Sequence, residues 1–249
     1  MRLLSHLQSL VTEYSPRVHA NGFIQIDITP AVRLHIWGDA RIPKQKVPTP
    51  IHDHAFAFTS RVLVGSLTQR EYVADRELSL IALPRGTLVC QPALPANALI
   101  CQPHRAQIRR GEDTTLAPEG PAVIVLPRRA FDVSPESGRD TYSMAVGDLH
   151  ETVPTEPSVS VIVKTGASLS QGGPSPLIMV PYGQTPSNEF DRHAALAFSR
   201  MWQIVADAVA VDPEAVATGI MWALGAEVRA LSERLDDIRQ DARENRLHE

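Results

Sequence analysis

Cysteine is scarce in this chain: two residues in 249, Cys90 and Cys101. Two cysteines cannot make a disulfide framework, and no zinc-finger spacing is present, so the fold must rest on a buried core. Charge of one sign is also lacking. The formal net charge is -4, which gives no electrostatic case for a nucleic-acid partner. No stretch is apolar enough to span a membrane. His6 and Gln8 break the apolar run between Met1 and Tyr14, which excludes a signal peptide and makes a cytoplasmic protein the expectation. The chain has no Gly-x-x-x-x-Gly-Lys phosphate loop and no Gly-x-Ser-x-Gly elbow.

What is present favours strands. Hydrophobic residues make up 43% of the chain, enough for a core, and twenty prolines and fourteen glycines favour short strands and turns over a helical bundle. Leu3, Leu4, Leu7, Leu10 and Val11 are spaced as an amphipathic helix, so residues 1–20 are expected to form a short helical element packed on the main domain. From Gly22 the period becomes two. Strands are expected at 23–28, 32–37, 60–64, 67–73, 78–83, 88–90, 99–101, 122–126, 142–144 and 159–164, the pattern of a sandwich or barrel over 21–165. Residues 166–186, rich in Gly, Ser and Pro, read as a linker. Residues 187–249 read as a helical hairpin, with helices over 187–210 and 213–246, and Thr185-Pro186 and Asp212-Pro213 as their starts. Ala217, Met221, Leu224, Val228, Leu231, Leu235, Ile238 and Ala242 form a heptad-like seam on the second helix. Antiparallel packing, on the preceding helix or across a homodimer, is the expectation for it.

The stretch that carries chemistry is Ile51-His52-Asp53-His54, read with Gly147-Asp148-Leu149-His150. Side chains alternate along a strand, so His52 and His54 share a face. His150 on a neighbouring strand would add a third imidazole. Three histidines with open positions suit a divalent transition metal. No histidine precedes His52 at position 51, so the His-x-Asp pair of a 2-oxoglutarate oxygenase cannot be built there.

These residues resemble the two motifs of the cupin superfamily: His52, His54 and Gly65 in the first, Gly147 and His150 in the second. The resemblance covers about residues 20–165. It implies a mainly β fold of the double-stranded β-helix (jelly-roll barrel) kind, here with a short N-terminal helix and a C-terminal helical hairpin. Within cupins, Ile36-Trp37-Gly38 ahead of the histidine pair, and Leu149-His150 with Thr155–Ser160 behind, resemble thiol dioxygenases of the cysteine dioxygenase type. That likeness implies non-haem iron(II) on His52, His54 and His150. The family's substrate-carboxylate arginine falls near Gln25, and of its Ser-x-His-x-Tyr arrangement only Ser160 is kept, with Ile162 and Lys164 in the other places. The metal platform is therefore expected without the cysteine-recognition apparatus. The long stretch between His54 and His150 implies an insertion at about 75–120. The glutamate that many cupins add as a fourth ligand falls near Phe58 or Thr59, so three histidines are expected to act alone unless Asp53 or Glu151 turns inward.

Phe56 and Phe58 share the parity of the histidines and are expected to line the substrate pocket with Gln25, while Arg61 should point away. Tyr142 is the candidate catalytic hydrogen-bond donor, and Arg33, Arg128 and Arg129 are candidates to clamp an anion. His35 is expected to be packed or exposed rather than a ligand, and His6, His19, His104, His193 and His248 to lie on the surface. Cys90 and Cys101 would face each other if their strands formed a hairpin about Pro95-Ala96. The leading expectation is an iron oxygenase acting on a small molecule. One alternative is a non-catalytic cupin that binds a ligand or structural metal and assembles through its helical tail. The other is an isomerase or hydrolase using zinc, manganese or nickel.

Overall fold

The computed structural model describes residues 2–11, 15–19, 21–43, 51–75, 79–82, 88–91, 94–107, 115–165, 176–184 and 196–246. It is mainly β, with two antiparallel sheets and a few helices. The first sheet runs β1 (Arg17–His19), β2 (Phe23–Asp27), β3 (Val32–Trp37), β13 (Ser158–Thr165), β4 (Ala57–Val64) and β11 (Thr141–Met144). The second runs β12 (Leu149–Pro154), β5 (Leu67–Asp75), β10 (Val123–Val133), β8 (Leu99–Gln107) and β14 (Leu177–Pro181), with β9 (Thr115–Pro118) attached to β8. A separate ribbon pairs β6 (Ser79–Ala82) with β7 (Leu88–Gln91).

Period-two alternation decides what each face of the first sheet does. Val18, Ile24, Ile26, Leu34, Ile36, Val159, Val161 and Val163 lie on one face. They are covered by α1 (Arg2–Leu10), α2 (Phe198–Val211) and α3 (Pro213–Arg246), through Leu7, Met201, Trp202, Ile204, Val205, Val216 and Ile220. The other face carries Phe23, Trp37, Phe58, Val62, Tyr142 and Ile162, which pack with Leu67 of β5 and Val133 of β10 from the second sheet. Both faces are thus buried. The second sheet has its own smaller core, in which Cys101, Val123, Val125, Leu149 and Met179 join Ile51.

Gly65 closes the corner where β13 begins, and Gly147 turns the chain into β12. Gly65 has φ +71°, and a Cβ there would collide with the Pro157 carbonyl oxygen and lie 2.8 Å from Ser158 Oγ. Gly147 has φ +81° with nothing within 4 Å of such a Cβ. Gly65→Ala should therefore cost about 2–4 kcal/mol, backbone strain plus overpacking, against about 1–2 kcal/mol for Gly147→Ala. Urea denaturation of both variants checks this. Equal losses would mean that the approach of Gly65 to Pro157 contributes nothing.

Several expectations are corrected. The linker at 166–186 contains β14, an apolar run (Leu177 to Val180) between Pro176 and Pro181 that pairs with β8. The insertion at 75–120 contains β8, which joins β10 to β14 and buries Cys101, so that strand is integral to the second sheet. Leu88–Gln91 pairs with Ser79–Ala82, and Cys101 pairs with Val123, so no hairpin brings Cys90 opposite Cys101. The first tail helix starts at Phe198, not 187; the Thr185-Pro186 start lies outside the described residues. The second starts as expected, with Asp212 Oδ1 accepting the Ala215 N–H at 2.9 Å. Its buried face is Val216, Ile220 and Ala223; of the expected seam, Leu224 packs on this core, while Met221, Val228, Leu231 and Leu235 are exposed and do not pack on the preceding helix. No helix among the described residues is long and apolar enough to cross a membrane.

Candidate functional site

The segment 51–54 is a short strand held on both edges. His52 N–H donates to the His150 carbonyl at 3.0 Å, and His150 N–H donates back at 2.9 Å. On the other edge, Met179 N–H donates to the Ile51 carbonyl at 2.9 Å and Asp53 N–H to the Leu177 carbonyl at 3.0 Å. The segment therefore bridges β12 and β14, the two ends of the second sheet, and closes its hydrogen-bonded circuit. Alternation then separates the side chains: Ile51 enters the core of the second sheet, and His52 and His54 take the opposite face, toward Phe58.

His150 lies across this closure on the same face. Its ring centroid is 4.7 Å from that of His52 and 5.0 Å from that of His54; the His52 and His54 centroids are 4.9 Å apart. One ring nitrogen from each lies within 4.8 Å of the others. Among the described residues this is the one group of three or more His, Cys, Asp or Glu able to hold a metal. Burial, then the charge of neighbouring histidines, pushes the His54 pKa well below its ordinary value. Burial and the charge of His52 take His150 down to about 3. Neutral imidazoles offering lone pairs are what a transition metal requires. His150 Nδ1 sits 3.4 Å from the Asp148 carbonyl, a long contact of the kind that orients a ligand ring.

Among the described residues no carboxylate joins them. Asp53 Oδ1 accepts the Leu177 N–H at 2.6 Å, on the edge facing β14. Glu151 accepts from the Tyr72 hydroxyl at 2.9 Å. Phe58 is buried in the core between the sheets, and Thr59 meets the Ser143 hydroxyl at 2.9 Å. The donor set is thus three nitrogens, which fits a divalent transition metal with open positions.

The expected pocket residues separate into two groups. Phe56 and Phe58 stand against the histidines, their centroids 5.1 and 5.0 Å from that of His54. Tyr142 meets Phe58 and Phe131, and its ring is one layer removed from the histidines. Burial pushes its hydroxyl up to about 12, so it keeps its proton. Gln25 is buried on the inner face of the first sheet and donates to Asp27 Oδ1 at 2.9 Å. Arg61 points away as expected: it pairs with Asp140 at 2.8 Å and lines a surface cavity of about 190 Å³ beside α3. Arg129 is engaged by Glu71 through two contacts of 2.6 Å, and Arg128 is exposed. Arg33, by contrast, lies inside, its guanidinium 5.6 Å from the Phe56 ring centre.

Two histidines depart from the surface reading. His104 is buried, with Nδ1 2.9 Å from the Gln102 carbonyl oxygen. His19 is half-buried and stacks on Phe23 at 4.3 Å. His35 is packed, as one of the two expectations had it, against Phe23 and Trp37. His193 and His248 lie outside the described residues.

Sequence reasoning missed β14, Arg17, Asp27 and Lys164. The signal for β14 was its apolar run between prolines. Along β1 to β3 polar residues alternate with apolar ones, and alternation alone cannot show that a second sheet covers the polar face. Neither the family models nor the curated proteins compared with this chain give a match.

Proposed function

We propose that the chain is a metal-dependent cupin, a non-haem iron(II) oxygenase of the dioxygenase kind acting on a small molecule, with the metal on His52, His54 and His150. One observation carries this reading: three imidazoles from distant positions meet on one face, without a carboxylate among the described residues, where the short 51–54 segment closes the second sheet. A divalent metal with open positions would bring substrate and dioxygen together, lowering the entropic cost of their encounter. The chain's own residues supply the rest. Burial keeps His54 and His150 neutral, Phe56 and Phe58 exclude water from one side, and Tyr142 holds Phe58 in place at 6.0 Å between centroids. Zinc, manganese or nickel in the same ligands would favour an isomerase or hydrolase.

A second reading rests on the exposed row Met221, Val228, Leu231 and Leu235 of α3. In it the site holds a structural metal or ligand, and the tail pairs two copies through these residues.

The two readings differ in whether the metal keeps exchangeable positions. Protein loaded with cobalt(II) should change its visible spectrum on addition of azide. A spectrum that azide leaves unchanged would mark a closed site and favour the second reading.

A further inference from the structure

The inner face of the first sheet carries charged groups that the metal reading does not use. Register sets them out in rows. Asp27, Arg33, Ile162 and Ser60 form one cross-strand row. Arg17, Gln25, His35 and Ser160 form the next. Lys164 stands on the other side, beside Phe58. All share the face that the second sheet covers.

Three cations here share one carboxylate. Asp27 lies 2.6 Å from Arg17 Nη1 and 2.9 Å from Arg33 Nε, and it also accepts from Gln25. Burial acts to raise its pKa, but the charges of Arg33 and Arg17 outweigh this and keep it ionised. Among the described residues, Lys164 donates to a neutral group, the Pro30 carbonyl, at 2.8 Å. Among the described residues, Asp27 is the one carboxylate acting on Arg33, His35 and Lys164. Counted over the described residues, the cluster therefore carries two positive charges in excess.

Its buried polar atoms are also under-satisfied. Both ring nitrogens of His35, a residue 5% exposed, have no hydrogen-bond partner. Arg33 Nε is buried and makes no well-directed hydrogen bond, although it lies 2.9 Å from Asp27 Oδ1. Folded proteins rarely leave such groups unmet, and excess buried charge is costly without a counter-ion. Phe56 links this cluster to the histidines. Lys164 Nζ lies 4.9 Å and the Arg33 guanidinium 5.6 Å from its ring centre, and the His54 ring lies 5.1 Å away.

We propose that Arg33 and Lys164, backed by Arg17 and His35, form an anion subsite for a small organic acid or phosphate ester whose uncharged end runs along Phe56 toward His54. The second clause rests on the metal reading; the anion subsite itself does not.

The test uses the full chain free of metal, titrated calorimetrically with butyrate, inorganic phosphate and neutral butyramide at constant ionic strength. Butyrate or phosphate should bind saturably, and butyramide at least about tenfold more weakly, as expected for charge-assisted contacts. The stronger of the two anions names the source, a carboxylate or a phosphate ester. Lys164→Met should weaken anion binding about tenfold, and Lys164→Arg should restore it. If Lys164→Met does not fold, Lys164→Gln takes its place. The proposal is overturned if neither anion binds, if butyramide matches butyrate, or if the variant binds anions like the parent. Cobalt(II) uptake is measured alongside. Anion binding by a protein that takes up no cobalt would sink the metal reading and leave the anion subsite standing, whereas cobalt uptake without anion binding would do the reverse.

Discussion

His54→Ala should lower the affinity of the chain for a divalent transition metal by at least about 100-fold, since loss of a group that merely orients a ligand already costs about 10–100-fold. The metal-free variant should remain folded. His54 contributes a ring to the space between the sheets, but the strand that carries it is held by backbone hydrogen bonds from Ile51, His52 and Asp53 to β12 and β14. Metal and stability are linked. A metal present at 100 times its dissociation constant adds about 2.7 kcal/mol to the folded state. That increment should be present in the parent and absent in His54→Ala, as read from urea denaturation with and without cobalt(II). A variant that gains as much from the metal as the parent would show that the ion binds elsewhere.

Stability of the ligand-free protein should fall steeply as the pH drops below about 6.5. His35 is the clearest cause. Burial, then the charge of Arg33, takes its pKa from 6.5 down to about 3. Between those values the unfolded chain binds a proton that the folded chain refuses. Its contribution is therefore fully present above 6.5 and is lost progressively toward 3. The slope is about 1.4 kcal/mol per pH unit for one such group. His150, also at about 3, behaves alike, so the pair should give about twice that slope. His35→Phe should remove one proton from the linkage and flatten the slope by about 1.4 kcal/mol per unit. It should cost little at pH 7, because it replaces two unpartnered ring nitrogens with carbon. Denaturation midpoints at pH 7, 6 and 5 measure both chains. Parallel slopes would mean that His35 titrates normally in the folded protein.

The fold was legible wherever local pattern and tertiary role agree. Val32–Trp37 alternates and is β3, and Asp212-Pro213 caps α3. The histidine cluster was legible because two of its members sit at strand spacing, and the third follows a glycine that supports a turn at φ +81°. The misses share one cause, which is that their meaning lies in a partner far along the chain. Leu177 to Val180 looked like part of a linker until paired with β8 and with the histidine strand. Arg17, Asp27 and Lys164 alternate with the core residues of β1, β2 and β13, and only the second sheet turns their face inward. The seam on α3 was read correctly as apolar, but helix periodicity does not say which of two apolar stripes the sheet takes, and it takes Val216, Ile220 and Ala223.

The central claim is that His52, His54 and His150 hold a metal. Elemental mass spectrometry of the purified protein, beside a His52→Ala, His54→Ala double variant, tests it most directly. The account predicts near-stoichiometric iron in the parent and its loss in the variant. No bound transition metal in the parent, even after anaerobic reconstitution, would contradict it.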